Sequence, residues 1–189
     1  MLQSPATFPE LMQGLWSANP LVRMRAADAV EKISRERPEL LRSYKKELLG
    51  LLQETAGERV FRAEADSRAK ARASGARKSK AVKKSPAVWS EATTDKEVRW
   101  HLAAIAARLP LNASERAMAV AALKNYLEDS SSIVRTFALQ GLADLAEQAP
   151  DLLPEVIELL QQAARAGTPA MKARSRKLLA RLERRRAKP

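Results

Sequence analysis

The stretch Ile133–Leu145, IVRTFALQGLADL, decides the fold of this chain, because three other stretches repeat its pattern. Val134 is followed by a base, Arg135, and apolar or small residues recur four, seven, eight and eleven positions after Val134. That spacing forms one apolar stripe along an α-helix. The other copies are Leu21–Ile33 (LVRMRAADAVEKI), Glu97–Leu109 (EVRWHLAAIAARL) and Ala170–Leu182 (AMKARSRKLLARL).

A second type of helix alternates with these four. Its apolar stripes lie within 8–16, 40–52, 119–127 and 152–160. Val98 and Val134 are 36 residues apart, and Val134 and Met171 are 37 apart, but Val22 and Val98 are 76 apart. A single insertion of about one period's length explains the long interval. The sequence therefore predicts one domain, 1–184, built from helix pairs at about 7–34, 38–109, 112–147 and 151–184.

A helix pair of about 37 residues, with an Asp or Asn shortly before a Val-Arg pair, resembles the HEAT-repeat (armadillo-like) family. The resemblance implies an all-α fold, a right-handed α-solenoid of about four HEAT-like helix pairs with one long basic insertion. The fourth copy is degenerate, as expected of a repeat that caps the array. The residues that carry the resemblance are Asn19 to Val22-Arg23, Asp95 to Val98-Arg99, and Asp129 to Val134-Arg135.

The arginine of each Val-Arg pair lies beside the apolar stripe rather than opposite it. By resemblance to HEAT repeats, we expect these arginines to form ion pairs with acids in the turns, in a repeat ladder. The alternative is a track of arginines that binds anions along one edge. The residues of the expected ladder are Arg23, Arg99, Arg135, Asp95 and Asp129.

In each repeated helix, the side opposite the apolar stripe holds the residues two, five, six and nine positions after the first residue of the stripe. We expect these sides to form the inner, concave wall of the solenoid. Trp100 at such a position is either an anchor for a protein partner or covered by a neighbouring segment. We expect His101 to be half exposed and Trp16 to lie in the core. The predicted protein-binding residues are Met24, Asp28, Trp100, Ala104, Thr136, Leu139 and Gln140.

Composition excludes several classes of function. The chain has 189 residues, no cysteine and one histidine, which argues against thiolate zinc sites, iron–sulfur clusters and most histidine metal sites. No apolar run approaches the roughly 20 residues that span a bilayer, and the opening residues lack the basic-then-apolar order typical of a secretory signal. We expect a cytoplasmic protein with no membrane partner, no metal and no cofactor.

Most of the net charge of +12 lies in two segments. The insertion, 58–94, has 10 basic and 4 acidic residues, and 172–189 has 9 basic and 1 acidic. We expect the insertion to be largely flexible and 185–189 to be a basic tail. Either segment is able to contact phosphates without sequence preference, but a solubilising loop is the favoured interpretation of the insertion. The candidate nucleic-acid contacts are Arg77, Lys78, Lys80, Lys83, Lys84, Trp89, Arg184, Arg185 and Arg186.

The leading functional hypothesis is a non-catalytic scaffold or adaptor that binds a protein partner along the concave wall. The sequence has no Gly-rich phosphate loop, nucleophile elbow, metal motif or paired catalytic carboxylates. The alternative is a nucleic-acid-binding solenoid that uses the basic insertion and tail. A HEAT-like DNA glycosylase is less favoured, because Trp100 is the one aromatic residue expected on the wall. The sequence leaves the oligomeric state open.

Overall fold

A computed structural model describes residues 7–55 and 96–186, and within these ranges every regular element is helical. The fold is therefore all-α, as the sequence predicts. Short 3-10 segments precede or follow several of the α-helices, at Gly14–Trp16, Pro38–Tyr44, Ala106–Arg108 and Pro150–Leu152. The α-helices are α1 (Phe8–Gln13), α2 (Pro20–Glu36), α3 (45–55), α4 (Lys96–Ile105), α5 (Ala113–Tyr126), α6 (Ser132–Gln148), α7 (Leu153–Ala166) and α8 (Pro169–Arg186).

Side-chain caps are clearest at the starts of α2 and α5. The Oδ1 atom of Asn19 accepts a hydrogen bond from the backbone N–H of Leu21 (2.9 Å) at the start of α2. Asn112 and Glu115 form a reciprocal capping box at the start of α5. Each cap satisfies backbone donors that the first turn of a helix leaves without a partner. Thr7, which resembles the start of a capping box in the sequence, makes no side-chain capping bond to α1.

The four helices that carry the repeated pattern pack against one another in chain order. Helix α4 lies between α2 and α6, and α6 also packs against α8. Helices α1, α5 and α7 each pack against the helix that follows them. Helix α3 is tied to α5 by a buried hydrogen bond between the hydroxyls of Thr55 and Tyr126, and by the Lys45–Glu115 ion pair (2.7 Å).

The first residue of the apolar stripe is buried in three of the four copies. Val98, Val134 and Met171 are at most 8% exposed, whereas Val22 is 43% exposed. Trp16, expected in the core, is 47% exposed. In the described structure, α2 is the first of the four patterned helices that pack in the order α2, α4, α6 and α8. The helix before it, α1, has only six residues. The beginning of α2 therefore lacks the cover that α5 and α7 give to α6 and α8.

Gly141 allows α6 to approach α4 closely. A Cβ atom added to Gly141 would lie 2.6 Å from the carbonyl oxygen of Ala103 in α4 and 3.1 Å from Leu123 Cδ1 in α5. A real Cβ does not fit at that distance from a backbone oxygen, so a side chain at this position would push α4 and α6 apart.

Replacing Gly141 with Ala should lower the free energy of unfolding by about 1–3 kcal/mol, because overpacking at the helix contact outweighs the better helix propensity of Ala. The matched control is Gly50→Ala in α3. No described atom lies within 4 Å of a Cβ at Gly50. There the same change should stabilise the fold by about 0.5–1 kcal/mol. Urea unfolding measures both, and equal effects of the two substitutions would contradict the close approach.

Candidate functional site

The structure buries three of the residues predicted on the concave wall. Ala104, Thr136 and Leu139 are 5%, 7% and 1% exposed, so their placement on an accessible wall is wrong. The cause is the number of neighbours, because α4 and α6 have packed helices on more than one side. The other predicted wall residues, Met24, Asp28, Trp100 and Gln140, are partly exposed.

The accessible side of α6 lies one residue further along than predicted. Phe137, Gln140 and Asp144, which follow Val134 by three, six and ten positions, are partly exposed. The positions two, five and nine after Val134 are all buried. A shift of one residue corresponds to about 100° of rotation around a helix. Phe137 therefore belongs to the accessible side, which the sequence pattern did not predict.

A continuous series of side-chain contacts runs across α2, α4, α6 and α8, and we call it the cross-helix strip. The Trp100 ring stacks on His101, with centroids 3.4 Å apart, and lies 4.7 Å from the Phe137 ring. The Arg174 guanidinium lies 5.6 Å from the centroid of Phe137, and its Nη1 donates to Gln140 Oε1 (2.8 Å). The strip consists of Asp28, Trp100, His101, Phe137, Gln140 and Arg174.

Trp100 is held in a fixed orientation. Its indole Nε1–H donates to Glu97 Oε2 (2.8 Å), one turn earlier in α4. With His101 on one side and Phe137 on the other, the indole is partly buried and its rotation is restricted. A rigid, half-exposed tryptophan loses little conformational entropy when a partner covers it, which favours binding at this position.

His101 is buried, with 2% exposure, rather than half exposed as expected. Its Nδ1 lies 2.6 Å from the carbonyl oxygen of Glu97, which can only accept, so Nδ1 carries the proton. Its Nε2 lies 3.6 Å from Asp28 Oδ1. Burial lowers the pKa of His101 below its ordinary value, while Glu97 and Asp28 oppose that shift. The neutral imidazole is the form that the fold favours.

One rung of the expected ladder is present. Arg99 Nε donates to Asp129 Oδ2 (2.8 Å), and Arg99 Nη2 is 3.5 Å from Asp129 Oδ1. Both side chains are buried, and Asp129 Oδ1 also accepts from the backbone N–H of Ser131 (2.7 Å). The pair joins α4 to the turn before α6, so it holds these two parts of the fold together.

The other two ladder arginines differ from Arg99. Arg23 is buried, and its Nη1 donates to the carbonyl oxygens of Ser17 (2.7 Å) and Ala18 (3.0 Å). Asp95, the other acid of the expected ladder, lies outside the described residues. Arg135 has a buried Nε that forms no hydrogen bond within the described ranges.

A buried charged cluster between α2 and the Ala106–Arg108 segment was missed by the sequence analysis. Glu31 is 2% exposed, and its carboxylate contacts Arg35 (2.8 Å) and Arg108 (2.9 Å). Burial raises the pKa of Glu31, but hydrogen bonds and charge from the two arginines outweigh it, so the pKa lies below its ordinary value. Periodicity places Glu31 on the predicted wall, and no sequence signal links it to Arg108.

Most candidate nucleic-acid contacts lie outside the described residues, namely Arg77, Lys78, Lys80, Lys83, Lys84 and Trp89. Arg184, Arg185 and Arg186 are exposed at the end of α8. Arg185 Nη1 is 3.1 Å from Glu147 Oε2, so part of this basic cluster supports the contact between α8 and α6. Within the described ranges, no three acidic or histidine side chains converge as metal ligands would, and no helix is long and apolar enough to cross a bilayer.

Comparison with known proteins does not extend this description. No protein-family model, curated protein sequence or solved structure matches the chain.

The buried rung predicts a large effect of removing one charge. Asp129→Asn keeps the acceptor for the Ser131 N–H but removes the negative charge of the carboxylate that the buried Arg99 contacts. We expect the free energy of unfolding to fall by about 3–5 kcal/mol. Glu39→Gln is the matched control, since the Arg37–Glu39 pair is exposed, and it should leave stability unchanged within error. Chemical denaturation measures the free energy of unfolding of both variants. Similar losses in the two variants would contradict a buried Arg99–Asp129 ion pair.

The single histidine allows a direct test of the strip. In an NMR titration of the folded protein, the His101 imidazole should titrate below the value of about 6.5 seen in unfolded chains. Because the unfolded chain binds the proton first, acidification from neutral pH should reduce stability. Asp28→Asn should lower the pKa further, since Asp28 stabilises the protonated ring. A folded-state pKa at or above that of the urea-unfolded protein would contradict the burial of this ring.

Proposed function

We propose that the chain is a non-catalytic α-solenoid of HEAT-like helix pairs that binds a protein partner on the cross-helix strip. The order of packing, α2 to α4 to α6 to α8, supports a repeat architecture, because each patterned helix contacts the next one along the chain. The buried Arg99–Asp129 rung supports it further, because this ion pair links consecutive repeats.

The single observation that carries the proposal is the Trp100–Phe137 pair. The two rings lie 4.7 Å apart on adjacent helices, and each remains partly exposed. Aromatic side chains that are held rigidly beside polar neighbours are the residues that most often dominate protein interfaces. If Trp100 and Phe137 served only to stabilise the core, we would expect both side chains to be buried, as the side chains of Tyr126 and Leu139 are.

The charges beside the aromatic pair indicate the chemistry of the partner. Asp28, at one end of the strip, is neutralised by Lys32 (2.7 Å). Arg174, at the other end, contacts the neutral groups Phe137 and Gln140 and forms no ion pair within the described ranges. A partner segment with an apolar side chain for the aromatic pair and a carboxylate for Arg174 would complete both contacts.

Nucleic-acid binding is the second candidate. The observation that favours it is the run Arg184–Arg186, which is exposed at the end of α8. Arg184 and Arg186 form no ion pair within the described ranges, unlike Arg185. Free arginines beyond those needed to hold a helix in place are suited to contact phosphates.

A comparison of four proteins tests the proposal: wild type, Trp100→Ala, Phe137→Ala and Trp16→Ala. Trp16 is the matched control, because it is an exposed tryptophan outside the strip. Each protein is purified, checked for helicity, and used for quantitative capture from a lysate of the source cells, with and without nuclease. The protein that wild type captures should then be purified and its affinity measured with each variant.

Trp100→Ala and Phe137→Ala should weaken binding of that protein by about 30-fold or more, the loss expected of an interface hot spot. Trp16→Ala should bind as wild type does. If binding instead disappears with nuclease, or with Arg184, Arg185 and Arg186 all replaced by Gln, nucleic acid is the partner and the strip is structural. If all three single variants bind equally, the strip is not the interface.

A further inference from the structure

A cavity of about 270 Å³ lies where the end of α5, the first turns of α6, the end of α7 and the start of α8 meet. It is separate from the cross-helix strip and shares no residue with it. Its volume is close to the lower end of the range for small-molecule sites, so it suits a small ligand or a single side chain. The apolar side chains of its lining are Leu127, Leu139, Leu159, Ala163, Ala166 and Met171.

Arg135 lines this cavity and is the ladder arginine that lacks an acid. Arg99, at the same position one repeat earlier, is paired with Asp129 in the turn before the next patterned helix. The Nε of Arg135 is buried and forms no hydrogen bond within the described ranges. A guanidinium that lines a cavity without an acid partner favours an anion, and a carboxylate matches its planar donor geometry best.

The turn before α8 is equivalent to the turn that holds Asp129, but it has a glycine where the acid would be expected. Gly167 lies in the turn before α8, where the acid of the ladder would be expected. A Cβ added to Gly167 would lie 2.5 Å from the carbonyl oxygen of Ala163 and 2.9 Å from Met171 Cβ. The tight turn between the end of α7 and the start of α8 therefore excludes aspartate at this position.

The remaining polar groups of the cavity leave the Arg135 charge unmatched. The Thr168 hydroxyl is engaged with Ser132 Oγ (2.7 Å). The Glu128 side chain lines the cavity but forms no ion pair with Arg135 within the described ranges. The N-terminus of the 18-residue α8 adds a partial positive charge on the same side.

We propose that this cavity binds a carboxylate attached to a short aliphatic group, with the carboxylate on Arg135 and the aliphatic group among the leucines and Met171. The ligand then completes the rung of the ladder that Gly167 leaves without an acid. Two sources have this chemistry: a free aliphatic acid, or the C-terminal residue of a peptide chain that ends in leucine.

NMR titration of the full chain with four probes tests the site. The first pair is 4-methylpentanoate and its neutral amide, and the second is acetyl-Gly-Ser-Leu with a free carboxylate and the same peptide amidated. Saturable binding of a carboxylate probe in the millimolar range, at least tenfold tighter than its amide, is the expected result. The acid that binds more tightly identifies the source.

Two variants localise the binding. Arg135→Gln should weaken the carboxylate probe about tenfold or more, while Arg176→Gln, which removes an exposed charge of α8 outside the cavity, should not. Thr168→Asp places a carboxylate from the chain beside Arg135 and should weaken binding about tenfold more than Thr168→Asn, which has the same size without the charge. If Arg135→Gln fails to fold, the comparison of Thr168→Asp with Thr168→Asn still tests whether the carboxylate binds at Arg135.

Several results would overturn the proposal. They are equal binding of acid and amide, absence of saturation by either acid at about 10 mM, or an equal loss in Arg176→Gln and Arg135→Gln. Equal binding to Thr168→Asp and Thr168→Asn would do so as well, because an internal carboxylate at Arg135 must compete with an external one.

Discussion

The structure depends on the close approach of α6 to α4, which in turn depends on the absence of a side chain at Gly141. At that separation the facing residues are small, such as Ala103, Ala104 and Ala143, all of them buried. Large side chains on the same helices have no room between the helices, so they emerge at the edges of the contact. This is why Trp100 and Phe137 meet across the contact and stay partly exposed. The candidate binding surface is thus a consequence of how tightly the two helices pack.

Buried ion pairs fix how the closely packed helices are aligned. Arg99–Asp129 joins α4 to the turn before α6, and Glu31–Arg108 joins α2 to the segment after α4. Such pairs add little net stability compared with apolar residues of similar size, but a shift along the helix would leave a charge buried without a partner. We infer that they select one alignment among the several that alanine-rich helices allow. Arg135 has no such partner in the turn before α8, which is why the last contact of the series differs from the others.

The sequence predicts the helical class and the stripe through Val98 and Val134, because each follows from the positions of residues on a single helix. The contact of Arg99 with a turn acid is expected from the resemblance to HEAT repeats. The sequence does not predict which side of a helix stays accessible. Periodicity identifies the apolar stripe, but Leu139 and Thr136 are buried by neighbouring helices whose number the stripe does not encode. The exposure of Val22 has the same cause. Its helix α2 has an intact apolar stripe, but α2 lies at one end of the series of packed helices, where its first turn stays uncovered. Glu31 and Arg108 are 77 residues apart, and no local pattern connects them.

The two candidate sites have a common electrostatic origin. Towards α2, the acids Asp28 and Glu31 are each matched by bases of the same chain, namely Lys32 for Asp28 and Arg35 and Arg108 for Glu31. Towards α8, Arg135 and Arg174 form no ion pair within the described ranges, although Asp144 and Glu147 engage Arg181. The C-terminal half of the described structure therefore has guanidinium groups beyond those its own acids neutralise. A ligand for either site must supply negative charge beside an apolar group, because in both places the unmatched arginine lies against an apolar or aromatic surface.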